Sequence, residues 1–418
     1  MINWGKKSNA GALQYVLVIA TVIVIILLAF IQLVYLQEKL AIKRSQFKEA
    51  IYNVNNGFAY TAGQEIPYDV IVTKTLSENE KEETEFLKKS WGVFDLVTIT
   101  STVNKETFKK VGLLGNTIQK EIAIYLVDNN TPLIVVGNTR VKGDVSLPKQ
   151  GVKRGNIAGN SFYGNVLING NIRLSSNSLP KLAQETSIKN IYNKRYLNDS
   201  IKSIELEYDT ELIQSFQKST QYYGVDETIK LEGVNLKGNF IIESTRKITV
   251  TRSCTLEDVI LIAPTIEIQS NVVGNFQAFA TKKIEVKNNC KLKYPSALVV
   301  YNKGKKVDEE EGIFIGKGTT VKGAIVFKQK EQEGFNYNPQ IKLDQSATVV
   351  GQVFCEGNTE ISGEVIGGVY TKNFITKQYG STYINHLYDA KINSEKLPLQ
   401  FAGLGLDAKH KGVAKWLY

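Results

Sequence analysis

Two related stretches decide the fold: RKITVTRSCTLEDVILIA at residues 246–263 and KKIEVKNNCKLKYPSALV at residues 282–299. They align without gaps, and Ile248 in the first stretch recurs as Ile284 in the second, 36 residues later. Ile266 lies 18 residues from both, so the real period is 18. A period of this length, with short apolar-polar-apolar triplets between Asn, Gly and Ser, is typical of one coil of a parallel β-helix. Inward side chains of successive coils then stack about 4.8 Å apart.

Fragments of the same kind flank this core and repeat the spacing Gly-x-x-x-x-x-Gly. They lie at residues 136–145, 163–172, 313–327 and 347–370. We therefore predict an interrupted right-handed parallel β-helix over residues 133–385, with an insertion at residues 176–230. The remaining residues, 386–418, are predicted to be a tail that caps the stack, because its last three residues, WLY, are too apolar to remain in water.

The cysteines fit the same 18-residue register. Cys254 and Cys290 occupy equivalent positions two coils apart, with Val272 between them. Two strand spacings separate them by about 9.6 Å, which exceeds the reach of a disulfide. We therefore expect buried thiols, with Cys355 likewise packed in the core. The predicted core ladder consists of Ile248, Ile266, Ile284, Cys254, Val272 and Cys290.

The N-terminal region contains a long apolar segment. Residues 8–37 carry no charge, and residues 15–31, YVLVIATVIVIILLAFI, are apolar except for one threonine and one tyrosine hydroxyl. A helix of this length crosses a hydrocarbon layer of about 30 Å. No small-residue cleavage site follows it, so we favour a retained membrane anchor over a removed signal sequence. Helical spacing of apolar residues continues up to an Asn-Asn-Gly stop signal that ends at Gly57, which predicts one membrane and spine helix over residues 12–57.

Charge counting does not settle the orientation of this anchor. Lys6 and Lys7 precede the apolar segment, and four basic residues follow it closely. The short N-terminus and the long β-rich remainder favour a cytoplasmic leader at residues 1–11. The sequence therefore predicts a single-pass protein of the cytoplasmic (inner) membrane, with its C-terminal region outside the cytoplasm.

The leader and the helix together resemble the start of type IV pilins. A basic pair is followed by AGAL at residues 10–13 and then by an apolar helix with an amphipathic second half, a pattern most similar to minor pilins and pseudopilins. The resemblance implies cleavage after Gly11, with Ala12 as the new N-terminus and Val16 at the fifth position. Major pilins have a glutamate at that position, so Val16 departs from their pattern.

Residues 58–132 are predicted to form a small β-meander or α/β region, similar to the region behind a pilin helix. Residues 91–101, WGVFDLVTITS, alternate apolar and polar side chains as a half-buried strand does. Residues 111–114 and 122–127 have the composition of further strands. The fold class is thus mainly β, with a long transmembrane helix, a β-meander and the interrupted β-helix.

Composition argues against a role in nucleic-acid binding. The chain of 418 residues is 43% hydrophobic and 22% charged, as expected of a folded protein. Its net charge of +10 is spread along the chain, and no basic block is interleaved with stacking aromatic residues. The apolar helix implies membrane lipid as a partner, and the resemblance to pilins implies other pilin-like helices or envelope proteins; polysaccharide is a further expected partner.

Groups that serve catalysis or bind cofactors are scarce. His386 and His410 lie apart and share no spaced motif with cysteines or carboxylates, and no phosphate-binding loop of the Walker or Gly-x-Gly-x-x-Gly type is present. Asp258, Glu267 and Glu285 are explained as outward positions of amphipathic strands. We expect no catalytic residue, no metal site and no cofactor, and hence no enzyme.

These observations predict a membrane-anchored structural subunit, similar to a minor pilin, that displays a β-helix for envelope assembly, adhesion or secretion. Val16, Val22, Ile25 and Leu28 lie in the helix expected to contact lipid or other pilin-like helices. The alternative is a single-pass, membrane-anchored β-helix that binds envelope polysaccharide without catalysis and without any pilus. The mature N-terminus separates the two, since only the first requires cleavage after Gly11.

Overall fold

The structure, a computed structural model, describes residues 10–76, 82–118, 120–193, 206, 208–304, 306–330, 336–406 and 410–417. Most of the predicted leader and Tyr418 lie outside the described residues. The chain divides into two compact units. Among the described residues, the first unit contains residues 10–59 with 72–76, 82–86 and 99–109, and the second contains the others.

The described residues form helices α1 (Ala10–Gly63) and α2 (Glu185–Asn193), a short 3-10 helix (Ser394–Lys396) and thirty strands. The first strands are β1 (Ile71–Lys74), β2 (Glu82–Trp91), β3 (Phe94–Val103), β4 (Glu106–Thr117), β5 (Ile124–Leu126), β6 (Leu133–Val136), β7 (Arg140–Lys142), β8 (Val145–Leu147), β9 (Val152–Arg154), β10 (Asn156–Ile157), β11 (Asn160–Ser161), β12 (Ile172–Leu174), β13 (Glu211–Gln214), β14 (Gln221–Val225) and β15 (Ile229–Leu231). The others are β16 (Asn235–Gly238), β17 (Phe240–Ser244), β18 (Lys247–Val250), β19 (Thr255–Ile268), β20 (Val273–Val286), β21 (Lys291–Asn302), β22 (Gly312–Ile315), β23 (Thr320–Gln329), β24 (Ile341–Leu343), β25 (Thr348–Ile361), β26 (Glu364–Gln378), β27 (Ser381–Ile384), β28 (His386–Tyr388), β29 (Lys391–Asn393) and β30 (His410–Leu417).

The strands form two main sheets. One has the order β1-β2-β3-β4-β30, and its first four strands follow one another along the chain as a meander does. Most of the other strands form a closed, barrel-like sheet in which the pairing is overwhelmingly parallel. The chain is therefore mainly β, with one long N-terminal apolar helix.

Helix α1 continues past the predicted stop at Gly57. In the first unit, Ala50 and Val54 on the same part of the helix are fully buried. A Cβ atom on Gly57 would lie 3.1 Å from side-chain atoms of Ile99 and of Phe86, so a residue without a side chain lets the helix pack closely here. The glycine is thus a packing position inside the helix, and the helix ends six residues later than predicted.

In the second unit, sets of short strands pair in parallel with equivalent sets elsewhere in the chain; we call each set a coil and the paired sets the stack. β13 pairs with β16, β14 with β17, and β15 with β18, all in parallel. Ile248 pairs with Ile266 and Ile266 with Ile284, and the column continues through Ile313 and Ile341. All five side chains are fully buried. The residues that the 18-residue spacing groups together are therefore neighbours in one buried column.

The order of the coils corrects the simple insertion predicted at residues 176–230. Strand β5 pairs with β26 through Ile124 and Val369, while β8 pairs with both β5 and β12. The coils of residues 124–174 therefore lie next to those of residues 364–393, and the chain after β12 crosses to the opposite end of the stack, where β13 begins.

The last part of the predicted insertion also belongs to the stack. Residues 211–231 form β13, β14 and β15, which pair with the next coil. Every residue of β14 is partly exposed because this coil is the last one at its end, so its apolar pattern is weak in the sequence. Among the described residues of the insertion, the segment that contains α2 lies outside the stack.

Helix α2 packs on the outer side of the parallel sheet. The hydroxyl of Tyr192 donates to the carbonyl oxygens of Ala280 and Val299, at 2.9 Å each. Ile188 is fully buried in an apolar cluster that includes Phe279, an outward residue of the parallel sheet. The outer side of this face is therefore a second core, and the excursion contributes to it.

Glycines shape a bend that recurs in successive coils. Gly323 pairs with Gly351, and Gly351 pairs with Gly367, with φ angles of +142°, +145° and +142°. A Cβ on Gly351 would lie 1.9 Å from the carbonyl oxygen of Gly323. Both the backbone angle and the close approach of the next coil therefore require glycine.

The predicted capping tail is wrong. Residues 386–393 form β28 and β29, which belong to the stack and pair with β6 and β7. Strand β30 pairs antiparallel with β4 as an edge strand of the meander sheet. Lys411 and Lys415 on this strand form ion pairs with Asp95 and Asp258, and these contacts explain why it lies along the sheet rather than over the end of the stack.

Candidate functional site: the exposed apolar helix

The most distinctive surface of the chain is the first part of α1. Every described residue from 11 to 45 is exposed, and the predicted positions Val16, Val22, Ile25 and Leu28 expose 49–64% of their surface. Isolated apolar side chains on a surface are ordinary, but a continuous apolar helix of this length is not. By length and composition, α1 contains the one segment of the described residues that suits a membrane span.

The predicted cleavage position lies at the start of the same helix. Gly11 and Ala12 are helical and exposed, and a Cβ on Gly11 would have nothing within 4 Å. Thr21, the polar residue within the apolar run, satisfies its hydroxyl by donating to the carbonyl oxygen of Leu17 at 2.5 Å. The hydroxyl of Thr21 is therefore already paired within the helix and need not seek a partner in an apolar environment.

The second half of the helix is fixed by contacts within the first unit. Phe47 packs edge-on against Phe108, with ring centroids 5.7 Å apart, and Lys43 forms an ion pair of 3.2 Å with Glu106. Together with the buried Ala50, these contacts seat the helix on a folded region. The apolar first half is thus a rigid extension of a packed helix.

The predicted core ladder lies inside the parallel stack. Cys254, Val272 and Cys290 are buried in one apolar cluster, and all three cysteines of the chain are free thiols. Burial raises the pKa of Cys290, and it raises the pKa of Cys355 to about 12. At neutral pH these two groups remain thiols, so neither is poised as a nucleophile.

The three carboxylates named in the sequence occupy two different environments. Glu267 and Glu285 are in-register neighbours on the outward side of the stack, where Lys247 pairs with Glu267 at 2.6 Å. Lys283 pairs with Glu285 at 3.1 Å. Burial raises the pKa of Glu285, but Lys287 and Lys283 lower it by more, so the net shift of this pKa is downward. Asp258, in contrast, is buried rather than exposed to solvent.

Asp258 forms a buried ion pair that the sequence did not reveal. Its side chain is 1% exposed and accepts a contact of 2.8 Å from the ammonium group of Lys415 and a hydrogen bond of 3.0 Å from the amide of Asn275. Burial raises the pKa of Asp258, and Lys415 partly offsets this. The left-handed backbone at Asp258, with φ of +62°, further marks the position as one that suits Asp, Asn or Gly.

We predict that Lys415→Met destabilises the protein by about 2 kcal/mol, because it leaves the buried Asp258 without its counter-ion. Adding Asp258→Asn should restore most of that loss, since Asn keeps the left-handed backbone without the charge. Denaturant unfolding of the full chain in detergent micelles measures both values. Lys230→Met is the matched control, because Lys230 pairs with Glu232 on the surface and should contribute under about 0.5 kcal/mol. Equal losses in the single and double variants would contradict the role of the pair.

Glu121 is a second buried carboxyl group. It accepts hydrogen bonds from the amide of Gln352, at 2.8 Å, and from the hydroxyl of Tyr370. Burial raises its pKa despite these donors. The folded protein therefore favours the protonated form more than the unfolded chain does.

A raised pKa fixes the sign of the pH dependence at Glu121. Its contribution to stability is fully present below the pKa of the unfolded chain and is lost as pH rises through the higher folded pKa. We predict that Glu121→Gln removes this loss, so that the variant gains stability relative to the parent protein as pH rises above the pKa of a glutamate in the unfolded chain, about 4.3. Thermal unfolding at a series of pH values measures the difference. Parallel profiles for the two proteins would show that Glu121 does not titrate in this way.

A polar cleft of about 820 Å³ lies within the second unit. Tyr68, Lys88, Asp95 and Lys411 line it, and the carboxylate of Asp95 receives the Tyr68 hydroxyl and both ammonium groups, with Lys88 at 3.6 Å. Burial lowers the pKa of Lys88, Asp95 opposes this, and Lys411 lowers it further. The carboxylate and the two ammonium groups neutralise one another, and the contact of Lys411 with Asp95 joins β30 to the sheet. These charged groups therefore have a structural role.

No group of three or more His, Cys, Asp or Glu side chains able to hold a metal ion occurs among the described residues. His386 lies in β28 and His410 in β30, and neither strand pairs with the other. Sequence reasoning missed Glu121 and Lys415, and it missed the ion pair of Asp258, because the contacts of Glu121 with Gln352 and of Asp258 with Lys415 join residues 231 and 157 positions apart. The alternation of HKGVAKWL at residues 410–417 was the available signal for the strand that carries Lys415.

Comparison with known proteins does not assign this chain to a family. No family model matches the chain, and no curated protein is similar to it in sequence. Among solved structures, the crystal structure of the competence-associated pilin ComZ from Thermus thermophilus matches over 85% of this chain and 89% of that chain, with 10% sequence identity and a TM-score of 0.26. That score is below the level at which two folds are considered the same, so this likeness assigns neither fold nor function.

Proposed function

We propose that the protein is a membrane-anchored structural subunit, similar to a minor pilin, whose role is envelope assembly, adhesion or secretion rather than catalysis. The observation that carries this proposal is the continuous helix α1, exposed and uncharged in its first part and packed on a folded region in its second. Burying an apolar side chain of this kind contributes about 1.5–3 kcal/mol, so lipid or similar helices would stabilise the segment strongly.

The remainder of the chain is proposed to be a right-handed parallel β-helix displayed outside the cytoplasmic membrane. Two observations support this proposal. Each strand pairs with the equivalent strand of the next coil, and the inward side chains form continuous columns. Right-handed crossovers join parallel strands in about 98% of cases, which supports the handedness. A stack of this kind provides a large continuous surface for contacts with other envelope components.

Within this proposal, the chain is processed like a pilin. The basic pair before the helix and the exposed Gly11 and Ala12 support access of a peptidase at the membrane surface. The test is the N-terminal sequence of the protein isolated from native membranes. Ala12 as the first residue supports pilin-like processing, while an intact Met1 contradicts it and leaves a plain anchor.

The second candidate is an anchored β-helix that binds envelope polysaccharide without a pilus. It is favoured by a cleft of about 380 Å³ along the outward side of the stack, lined by charged groups such as Lys283, Glu285 and Lys342 together with Phe314. An aromatic face beside paired charges suits the apolar and polar sides of a sugar ring. Co-sedimentation of the protein with isolated cell-wall polysaccharide, lost on Phe314→Ala, would support this candidate, and no co-sedimentation would count against it.

A further inference from the structure

One end of the parallel stack exposes the inward positions of its last coil. We call residues 148–175 the basic end. Strand β12 in this coil pairs with β8 through Ile172–Val145 and Leu174–Leu147. Val145 and Leu147 are buried, but Ile172 and Leu174 expose 51% and 70% of their surface. The inward columns of the core therefore end there on open apolar side chains, where terminal coils normally carry a polar cap.

The opposite end of the stack is formed by residues 208–232, which we call the acidic end. Among the described strands, β13, β14 and β15 pair on one side only. Tyr223 and Val225 of β14 occupy inward positions, next to Ile242 and Ser244 of the following coil, and are only partly buried. Within the part of the chain that the structure describes, this end therefore also presents open strand edges and incompletely covered core side chains.

The two ends are the two limits of the same columns. Pairing connects Ile172 at the basic end through one unbroken series of neighbours to Tyr223 at the acidic end. The series is Ile172, Val145, Ile124, Val369, Val353, Ile325, Leu298, Ala278, Leu261, Ile242 and Tyr223. Strands β12 and β14 are thus the first and last strands of the same face of the stack. Every pairing in the series is parallel.

The charges of the two ends are complementary. The basic end contains four basic residues and no acidic residue: Lys149, Lys153, Arg154 and Arg173. The acidic end contains five acidic residues, Asp209, Glu211, Asp226, Glu227 and Glu232, and two basic residues. Like ends would repel one another, whereas unlike ends would attract.

We propose that copies of this chain associate head to tail, with the basic end of one on the acidic end of the next, so that β12 extends the sheet of the neighbour at β14. A second copy is the occupant because it offers both the opposite charge and a strand of the direction that continues the parallel sheet. A two-fold contact between identical ends would place strands antiparallel and like charges together. The contact is heterologous, so it repeats along a row of subunits unless a ring closes. It goes beyond the proposed function, because the membrane helix takes no part in it.

Cysteine cross-linking between full-length copies in detergent micelles tests this contact. Leu174→Cys and Val225→Cys lie two residues after Ile172 and Tyr223, the two ends of the paired series, and the native cysteines are buried. Under mild oxidation, a mixture of the two variants should give at least tenfold more disulfide-linked dimer than a mixture of Leu174→Cys with Leu399→Cys. Leu399, an exposed residue in no strand, is the matched control for chance contact within micelles.

Charge variants provide a second readout that does not depend on the engineered thiols being well placed. Arg173→Glu in the Leu174→Cys chain should reduce cross-linking at least tenfold, and Asp226→Arg in the Val225→Cys partner should restore it. Efficient cross-linking of Leu174→Cys with itself would overturn the head-to-tail arrangement in favour of a symmetric contact. Yields equal to the Leu399→Cys control, or unchanged by charge reversal, would also overturn it.

Discussion

Replacing Val22 and Ile25 together with arginine should remove the protein from the membrane fraction. Both side chains lie in the middle of the exposed, uncharged part of α1. Each arginine at the centre of a spanning helix costs about 3 kcal/mol for insertion, so the pair costs about 6 kcal/mol. This corresponds to a change of more than about ten-thousand-fold in the insertion equilibrium.

The measurement is the fraction of protein that stays in the membrane pellet after alkaline extraction. Val22→Leu with Ile25→Leu is the matched control, since it changes the same two positions without adding charge, and it should remain in the pellet. Each single arginine variant should give a smaller loss than the pair. Retention of the double arginine variant at the level of the control would contradict a membrane role for this helix.

Gly351→Ala should destabilise the parallel stack by more than about 4 kcal/mol. The new Cβ would lie 1.9 Å from the carbonyl oxygen of Gly323, an atom of rigid backbone, and the φ angle of +145° is one that alanine rarely adopts. Relieving the clash requires adjacent coils to separate, which would open the buried columns on either side. Denaturant unfolding followed by far-UV circular dichroism measures the loss.

Gly63→Ala is the control for this substitution. Gly63 ends helix α1, and a Cβ there would have nothing within 4 Å. Alanine is a better helix former than glycine, so the change should be neutral or stabilising by up to about 1 kcal/mol. If Gly351→Ala were as mild as Gly63→Ala, the close stacking of coils at Gly323 and Gly351 would be wrong.

The spacing of the coils was readable in the sequence, but their order was not. Ile248, Ile266 and Ile284 recur every 18 residues because each must fill the same column. Because every coil fills its columns with similar apolar residues, the sequence of one coil does not show which other coil lies next to it. The pairing of Ile124 with Val369 therefore could not be predicted from the residues around either position. The order of the stack depends on which open edges meet, and that is a property of the whole chain.

Two predictions made from short sequence patterns were wrong because contacts with residues distant in the sequence decide the structure there. Gly57 has the sequence context of a helix stop, yet it is a packing position because Ile99 and Phe86 lie against it. The apolar residues near the C-terminus have the composition of a cap, yet Lys411 and Lys415 hold that strand along the sheet. In both cases, the deciding contact joins residues more than 25 positions apart.

The candidate site was predictable to the extent that it depends on composition alone. An uncharged apolar run identifies α1 directly, because exposure of such a run in water is unfavourable whatever the rest of the chain does. The buried carboxyl groups of Glu121 and Asp258 were not predictable, since a single acidic residue in a strand does not show whether it faces solvent or a lysine across the fold. The complementary charges of the two ends of the stack became visible only once the coil order was known.

Cysteine accessibility in intact spheroplasts tests most directly whether α1 anchors the folded region outside the cytoplasm. The three native cysteines are buried, so they should give little background labelling. Leu399→Cys, at a position 84% exposed, should react with a membrane-impermeant maleimide as fully in intact spheroplasts as after permeabilisation. Labelling of Leu399→Cys only after permeabilisation would contradict the account.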